Sequence, residues 1–258
     1  MQDEYFESLN NRQREAVEAT EGRIRVVAGA GSGKTKALTC RYAYLVNVLG
    51  VDPANILCLT FTNKAAQEMR NRIAKLVSAG NVNDFVCTIH GLCVRILRKE
   101  IYRIGYPKNF TIIDEEDQKS LSKEVFKEFS LNSTEITTKQ FLYDVHLLKM
   151  SGAKEKGSYE YYIESIILPD GKVAPENITP KIAYIKKQHK SFLLDFEDLI
   201  WFTLYILNHF EEAREYWQKQ MNYIMLDEAQ DCGDFQFHVL KTINYLLYKK
   251  YQGIILNN

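Results

Sequence analysis

The sequence carries no net charge, few prolines and no closely spaced cysteine pair, and each shortage removes a class of protein. Its five cysteines, at positions 40, 58, 87, 93 and 232, are odd in number and dispersed, and no Cys-x-x-Cys occurs. A disulfide scaffold and a zinc site are therefore both unexpected. The longest near-apolar run, Leu199 to Leu207, is nine residues and contains Thr203. A membrane-spanning helix needs roughly 20 apolar residues, so no bilayer span and no membrane partner are expected. The opening Met1 to Glu7 is acidic where a secretory leader is basic and then apolar. The expectation is a reducing, cytoplasmic compartment.

What the chain does have is an ordinary globular composition, 46% hydrophobic and 26% charged over 258 residues, enough for one large domain or two modest ones. The 33 basic and 33 acidic side chains cancel, but unevenly. Residues 1–22 hold two Arg against six acids, whereas residues 23–108 hold 14 Lys and Arg against four acids. A basic third of this kind is either a solvated face or a surface for a polyanion, because only charges within a Debye length of roughly 8–10 Å set the local field.

Short apolar runs alternate with helical periodicity through the first half. Ile24–Ala28 reads as a buried strand, followed by a glycine-rich turn and a helix with Leu38, Tyr42, Leu45, Val46 and Leu49 on one face. Ile56–Phe61 reads as a second strand, 64–77 as a helix capped by Thr62 or Asn63, Phe85–Ile89 as a third strand and 91–104 as a helix. Such alternation predicts an α/β fold with a parallel sheet covered by helices on both faces. From 114 onward the pattern turns helical, with acids 114–117 opening one helix, another over 139–150, and a loop at 167–180 that holds Pro169, Pro175 and Pro180. The α/β pattern returns with an apolar helix at 195–210, a strand at 223–226, a helix at 235–248 and a strand at 253–256. A mostly helical insertion, 114–191, thus splits the α/β domain into 1–113 and 192–258.

The strongest chemical signal is Ala28-Gly29-Ala30-Gly31-Ser32-Gly33-Lys34-Thr35 between a strand and a helix. Its glycines let successive N–H groups face a phosphate at the positive end of the helix, Lys34 reaches the terminal phosphates, and Thr35 ligates Mg²⁺. Ala28 stands where the first glycine of that pattern is usual. The second signal is the apolar run ending in Asp227-Glu228, with Asp227 placed to hold Mg²⁺ and Glu228 to deprotonate an attacking water. Alone, such a pair is as often a strand end meeting solvent.

Together these elements resemble the superfamily I helicases of the UvrD/Rep/PcrA type. Leu9 to Val17 is similar to the family's Q motif, which implies that Gln13 reads the adenine of ATP. Residues 60–66, Thr-Phe-Thr-Asn-Lys-Ala-Ala, resemble motif Ia and Thr88 to Cys93 motif Ib. That resemblance implies contacts of Phe61, Thr62, Asn63 and His90 with single-stranded DNA. It also makes Gln230 the residue that senses the γ-phosphate, and Lys34, Glu228 and Gln230 the catalytic set. Asp195-Phe196-Glu197-Asp198-Leu199 resembles a stretch that precedes the carboxylate strand. The implied fold is a P-loop, RecA-like domain interrupted by a helical subdomain. Lys36 follows Gly-Lys-Thr where the family commonly has an arginine beside the base, and lysine lacks that planar group. In the family, the strand at 253–256 leads into a further motif and a second RecA-like domain, on the same natural chain or met in trans. The resemblance therefore implies half of a 3′-to-5′ motor, slow in turnover by itself. Two other readings are a non-catalytic DNA-binding or interaction module descended from such a motor, and a small-molecule P-loop kinase. His90 and Phe61 could equally be structural, Tyr159, Tyr161 and Tyr162 suit packing better than base stacking, and Lys181, Lys186, Lys187 and Lys190 read as a solvated helix face. Trp201 and Trp217 read as core.

Overall fold

The computed structural model describes residues 4–20, 22, 24–29, 31–77, 82–132, 136–151, 162–167, 178–244 and 253–257. The chain forms two compact units, Met1–Cys93 with Phe210–Asn258, and Val94–His209. No helix among the described residues is long and apolar enough to cross a membrane.

The first unit is built on a five-stranded sheet. Its strands are β1 (Ile24–Val27), β2 (Ile56–Thr60), β3 (Val86–Thr88), a carboxylate strand (Tyr223–Leu226) and a last strand (Gly253–Asn257), and every pairing is parallel. Across the sheet the order is β1, the last strand, the carboxylate strand, β2, β3. All five residues of β2 are buried, which is why it reads as an unbroken apolar run: a central parallel strand has helices over both faces. Packed against it are Leu38, Tyr42 and Leu45 from the helix α3 (Lys34–Asn47) and Met69 and Ile73 from α4 (Asn63–Ala74). Fully burying each such side chain contributes roughly 1.5–3 kcal/mol. Trp217 is core, edge-on to Phe85 with ring centroids 6.2 Å apart, within the roughly 4.5–7 Å that such pairs prefer.

β1 differs from the sequence expectation of a buried strand. Its burial alternates, and Val27 is 65% exposed. The reason is position: β1 is the edge of the sheet and opens directly into the glycine-rich turn.

The second unit is helical, as expected of an insertion. Helices α6 (Glu115–Glu128), α7 (Thr138–Ser151) and α8 (Pro180–Lys190) pack mutually, and the apolar α9 (Phe196–His209) completes the unit. Asp114 caps α6 through a capping box with Asp117, which places the acids 115–117 at the positive helix end. Two short strands that the sequence does not announce, Thr111–Ile112 and Leu193–Leu194, pair in parallel. They lie inside this unit, so the contacts draw it wider than the helical run itself.

At the centre of the unit is a buried polar cluster. The Lys149 ammonium donates to Asp195 at 2.6 Å and to Asp198 at 3.0 Å. Asp198 also accepts from the Tyr162 hydroxyl at 2.9 Å and from the Gln188 amide at 2.7 Å. His189 lies between two hydroxyls, Nδ1 at 2.6 Å from Tyr106 and Nε2 at 2.7 Å from Tyr162. Because Tyr162 gives its proton to Asp198, it accepts from His189 Nε2–H. A neutral ring then leaves Nδ1 to accept from Tyr106, and the surroundings favour that form. Burial, followed by the Lys149 charge, holds its pKa well below the ordinary histidine value. Tyr162 and Trp201 are both buried, while Tyr159 and Tyr161 lie outside the described residues. On α8, Lys187 pairs with Glu124 and Glu128, and Lys181 approaches Asp144, all on partly exposed faces. Lys187 and Lys181 thus behave as an ordinary ion-paired helix face.

Candidate nucleotide and nucleic-acid site

Between β1 and α3 the chain turns through Gly31 at φ 74° and Gly33 at φ 84°, both left-handed, a region costly to any residue with a Cβ. Ala30 lies outside the described residues. Gly33 opens α3 without a side-chain cap, and no acid occurs in the helix's first turn. The first-turn N–H groups and Lys34 make this helix end anion-seeking. Lys34 is buried and curls over the turn, its Nζ donating to the carbonyls of Ala28 at 2.8 Å and Gly29 at 3.2 Å.

The carboxylate strand brings its end to the same place. The Thr35 hydroxyl donates to Asp227 Oδ2 at 3.2 Å, joining residues 192 positions apart in sequence. Burial raises the Asp227 pKa, the Thr35 hydrogen bond opposes that, and the neighbouring Glu228 charge adds to it. Glu228 itself has φ 51° and ψ 46°, left-handed backbone that a non-glycine residue adopts only where its surroundings impose it. Gln230 Nε2 donates to Glu228 Oε2 at 2.7 Å, so two of the proposed catalytic side chains are in contact. Among the described residues no group of three His, Cys, Asp or Glu could hold a metal. A Mg²⁺ here would have to share Thr35 and Asp227 with phosphate oxygens, which suits an ion that keeps few protein ligands.

The wall of the site is the helix α2 (Asn11–Glu18). Asn10 caps it in a capping box with Gln13, and Gln13 Nε2 donates to the Ser32 carbonyl at 2.8 Å. A cleft of about 510 Å³ runs between this helix, the exposed side of β1 and the turn, lined among others by Asn10, Gln13, Val27, Ser32 and Lys34. Lys36, which stands where the family commonly has an arginine beside the base, donates from Nζ to the Ser8 carbonyl at 2.7 Å.

The residues of the DNA-like motifs follow the ends of neighbouring strands. Thr60 pairs with Thr88 and Leu59 with Leu226, so the segments that follow β2, β3 and the carboxylate strand all leave the sheet at its C-terminal end. Thr62 caps α4, its hydroxyl oxygen accepting from Ala65 N–H at 3.1 Å, and both Thr62 and Asn63 are exposed. Phe61 is half-buried. So is His90, whose pKa burial lowers below the ordinary histidine value.

Sequence reasoning missed two cationic anchors. Arg41 is buried and donates to three carbonyls at the end of α2; its signal was a charge set beside the apolar stripe of α3. Lys149 had no signal of its own. Its partners, Asp195 and Asp198, were noticed only as part of a family-like stretch.

The sheet and its glycine turn define the class: a parallel α/β P-loop domain of RecA-like type, interrupted in sequence by a helical unit. Residues 9–249 match the model of the UvrD/REP helicase N-terminal domain, and the chain belongs to that family. It is 38% identical over 239 residues to an ATP-dependent DNA helicase PcrA of Staphylococcus aureus, an alignment covering 91% of this chain and 31% of the relative. To the protein of the same name from Staphylococcus epidermidis it is 37% identical over 240 residues, 92% of this chain and 31% of that one. The chain thus spans about a third of the length of these relatives.

Proposed function

We propose that this chain is the ATP-binding and single-stranded-DNA-binding half of an ATP-dependent DNA helicase or translocase, moving 3′ to 5′ in the cytoplasm. The observation that carries the reading is the 3.2 Å contact between Thr35 and Asp227, which joins the phosphate turn to the carboxylate pair at the C-terminal ends of the strands. The organisation that supports it is a parallel α/β unit, Met1–Cys93 with Phe210–Asn258, interrupted in sequence by a mostly helical unit, Val94–His209.

In this reading the N–H groups from Gly29 to Thr35 cradle the phosphates, with Lys34 leaving its loop carbonyls to meet them. Gln13 selects the base. Thr35 and Asp227 would hold Mg²⁺, which would neutralise phosphate charge. Glu228 holds the attacking water and takes its proton, and Gln230, already bonded to Glu228, is placed to report the state of that carboxylate. Phe61, Thr62, Asn63 and His90 meet one DNA strand, and the basic 23–108 segment supplies the field that draws it in. Phosphoryl transfer of this kind also needs cations at the γ-phosphate, worth roughly 10³–10⁵ in rate. We assign these to a second RecA-like domain, on the same natural chain or in trans.

The test is ATP binding and hydrolysis by this chain with and without oligo-dT, beside Lys34→Ala. A charge-assisted contact is worth about 1.5–3 kcal/mol, so Lys34→Ala should lose roughly 10- to 100-fold in ATP affinity. Turnover should be slow, and oligo-dT binding should weaken steeply with salt. Equal ATP binding by wild type and Lys34→Ala would overturn the assignment.

A further inference from the structure

The helix α2 carries Gln13 yet has little of its own to hold it in place. It is eight residues long with Val17 as its only buried side chain, and an isolated helix of that length does not persist in water. A small apolar cluster of Leu9, Val17, Ala37 and Cys40 gives it a footing. Its orientation comes from two cations on α3. Ahead of α2, Lys36 Nζ donates to the Ser8 carbonyl at 2.7 Å. Behind it, Arg41 Nη1 donates to the carbonyls of Ala16 at 3.1 Å, Val17 at 3.2 Å and Ala19. That second site is the negative end of the helix, where a cation is favoured. Arg41 is 1% exposed, and burial lowers its pKa only to about 10, so the charge persists at neutral pH. The helix that begins at the phosphate turn therefore grips α2 at both ends, and Gln13 closes the ring through its bond to Ser32.

We propose that Lys36 and Arg41 are positioning residues for base selection, seating α2 so that Gln13 faces the nucleobase, and that Lys36 acts through the Ser8 carbonyl instead of touching the base. The inference rests on the nucleotide reading above. It separates this chain from an arrangement in which a cation at position 36 packs on the base. Such a cation would act only when nucleotide is bound, whereas a positioning cation acts in its absence too.

Three measurements on this chain test it: amide hydrogen exchange over residues 11–18 without nucleotide, ATP against GTP affinity, and affinity for inorganic tripolyphosphate. Lys36→Met should speed exchange over α2 by at least about fivefold in the nucleotide-free protein. It should collapse the ATP-over-GTP preference to that of Gln13→Ala, leave tripolyphosphate affinity within about twofold, and be non-additive with Gln13→Ala. Lys36→Arg, which keeps a donor for Ser8, should restore slow exchange. Arg41→Lys, chosen because loss of the buried cation could unfold the chain, should speed exchange at the Glu15–Glu18 end. Unchanged exchange in Lys36→Met together with a lost ATP preference would overturn the proposal in favour of direct base contact. An equal loss for ATP and tripolyphosphate would overturn it in favour of a phosphate ligand. If the wild type binds neither ligand and Lys34→Ala is indistinguishable from it, the nucleotide reading falls and base selection with it.

Discussion

At Gly33 two constraints meet in one residue. Its φ of 84° costs an L-residue roughly 1–2 kcal/mol, and a Cβ there would come within 2.6 Å of Gln13 Nε2. The amide is the far end of a side chain and can swing away, but only by giving up Ser32. Gly33→Ala should therefore lower the thermal midpoint modestly and, on the proposed reading of Gln13, reduce ATP affinity by at least about tenfold, since it both strains the turn and displaces the Gln13 amide. Binding titration beside thermal unfolding separates the two effects. Loss of stability with intact affinity would show that Gln13 and the turn are independent. Gly31, also left-handed but with nothing within 4 Å of a built Cβ, is the control: its alanine variant should carry the strain alone.

Among the elements, the helical unit depends on its buried ion cluster more than on any one helix face. Removing one partner of a buried pair typically costs about 3–5 kcal/mol, because the remaining charge has no water to meet. Lys149→Met should thus destabilise the unit by that order, seen as a drop in denaturation midpoint and lost protection over α7 and α9. Lys149→Met combined with Asp195→Asn and Asp198→Asn should recover part of it, and no recovery would mean that packing, not charge, holds the unit. This cluster also marks where reading the sequence ran out. The strands, the helices α3, α4, α7 and α9 and the phosphate turn announce themselves through period and glycine placement, which depend on near neighbours along the chain. Lys149 meets Asp195 across 46 positions and Arg41 meets Ala19 across 22, and no local pattern encodes either meeting. The two-residue strands at 111 and 193 are too short to carry a period. Thr35 and Asp227 could be paired in advance only because each belongs to a motif with a known chemical partner.

For the molecule as a whole, pH is the simplest probe. His189 is held neutral in the folded chain, with a pKa well below the ordinary 6.5, whereas in the unfolded chain it takes up a proton near that value. Stability should therefore be full above about pH 6.5 and fall below it, by up to about 1.4 kcal/mol per pH unit. His90, also lowered by burial, adds in the same direction. Asp198 works in the opposite sense over this range, because burial pushes its pKa up to about 7, so the His189 contribution is read as a difference between proteins. The wild-type denaturation midpoint should lose more, or gain less, than that of His189→Gln between pH 7.5 and pH 5.5, and parallel profiles would contradict the neutral ring.

The sheet order has one more consequence, which concerns time. Among the described residues β1 has a single sheet partner, the strand at 253–257, and Ile24 meets Ile254 across about 230 positions of chain. Closing a loop that long is slow and precedes any reward from pairing. During synthesis the first of these five strands must therefore wait for the one at 253–257. Until residues near 254 have left the ribosome, β2, β3 and the carboxylate strand can assemble, but the phosphate turn has no anchored strand to hang from. The nascent chain should acquire nucleotide binding abruptly and late, long after its first glycines have emerged.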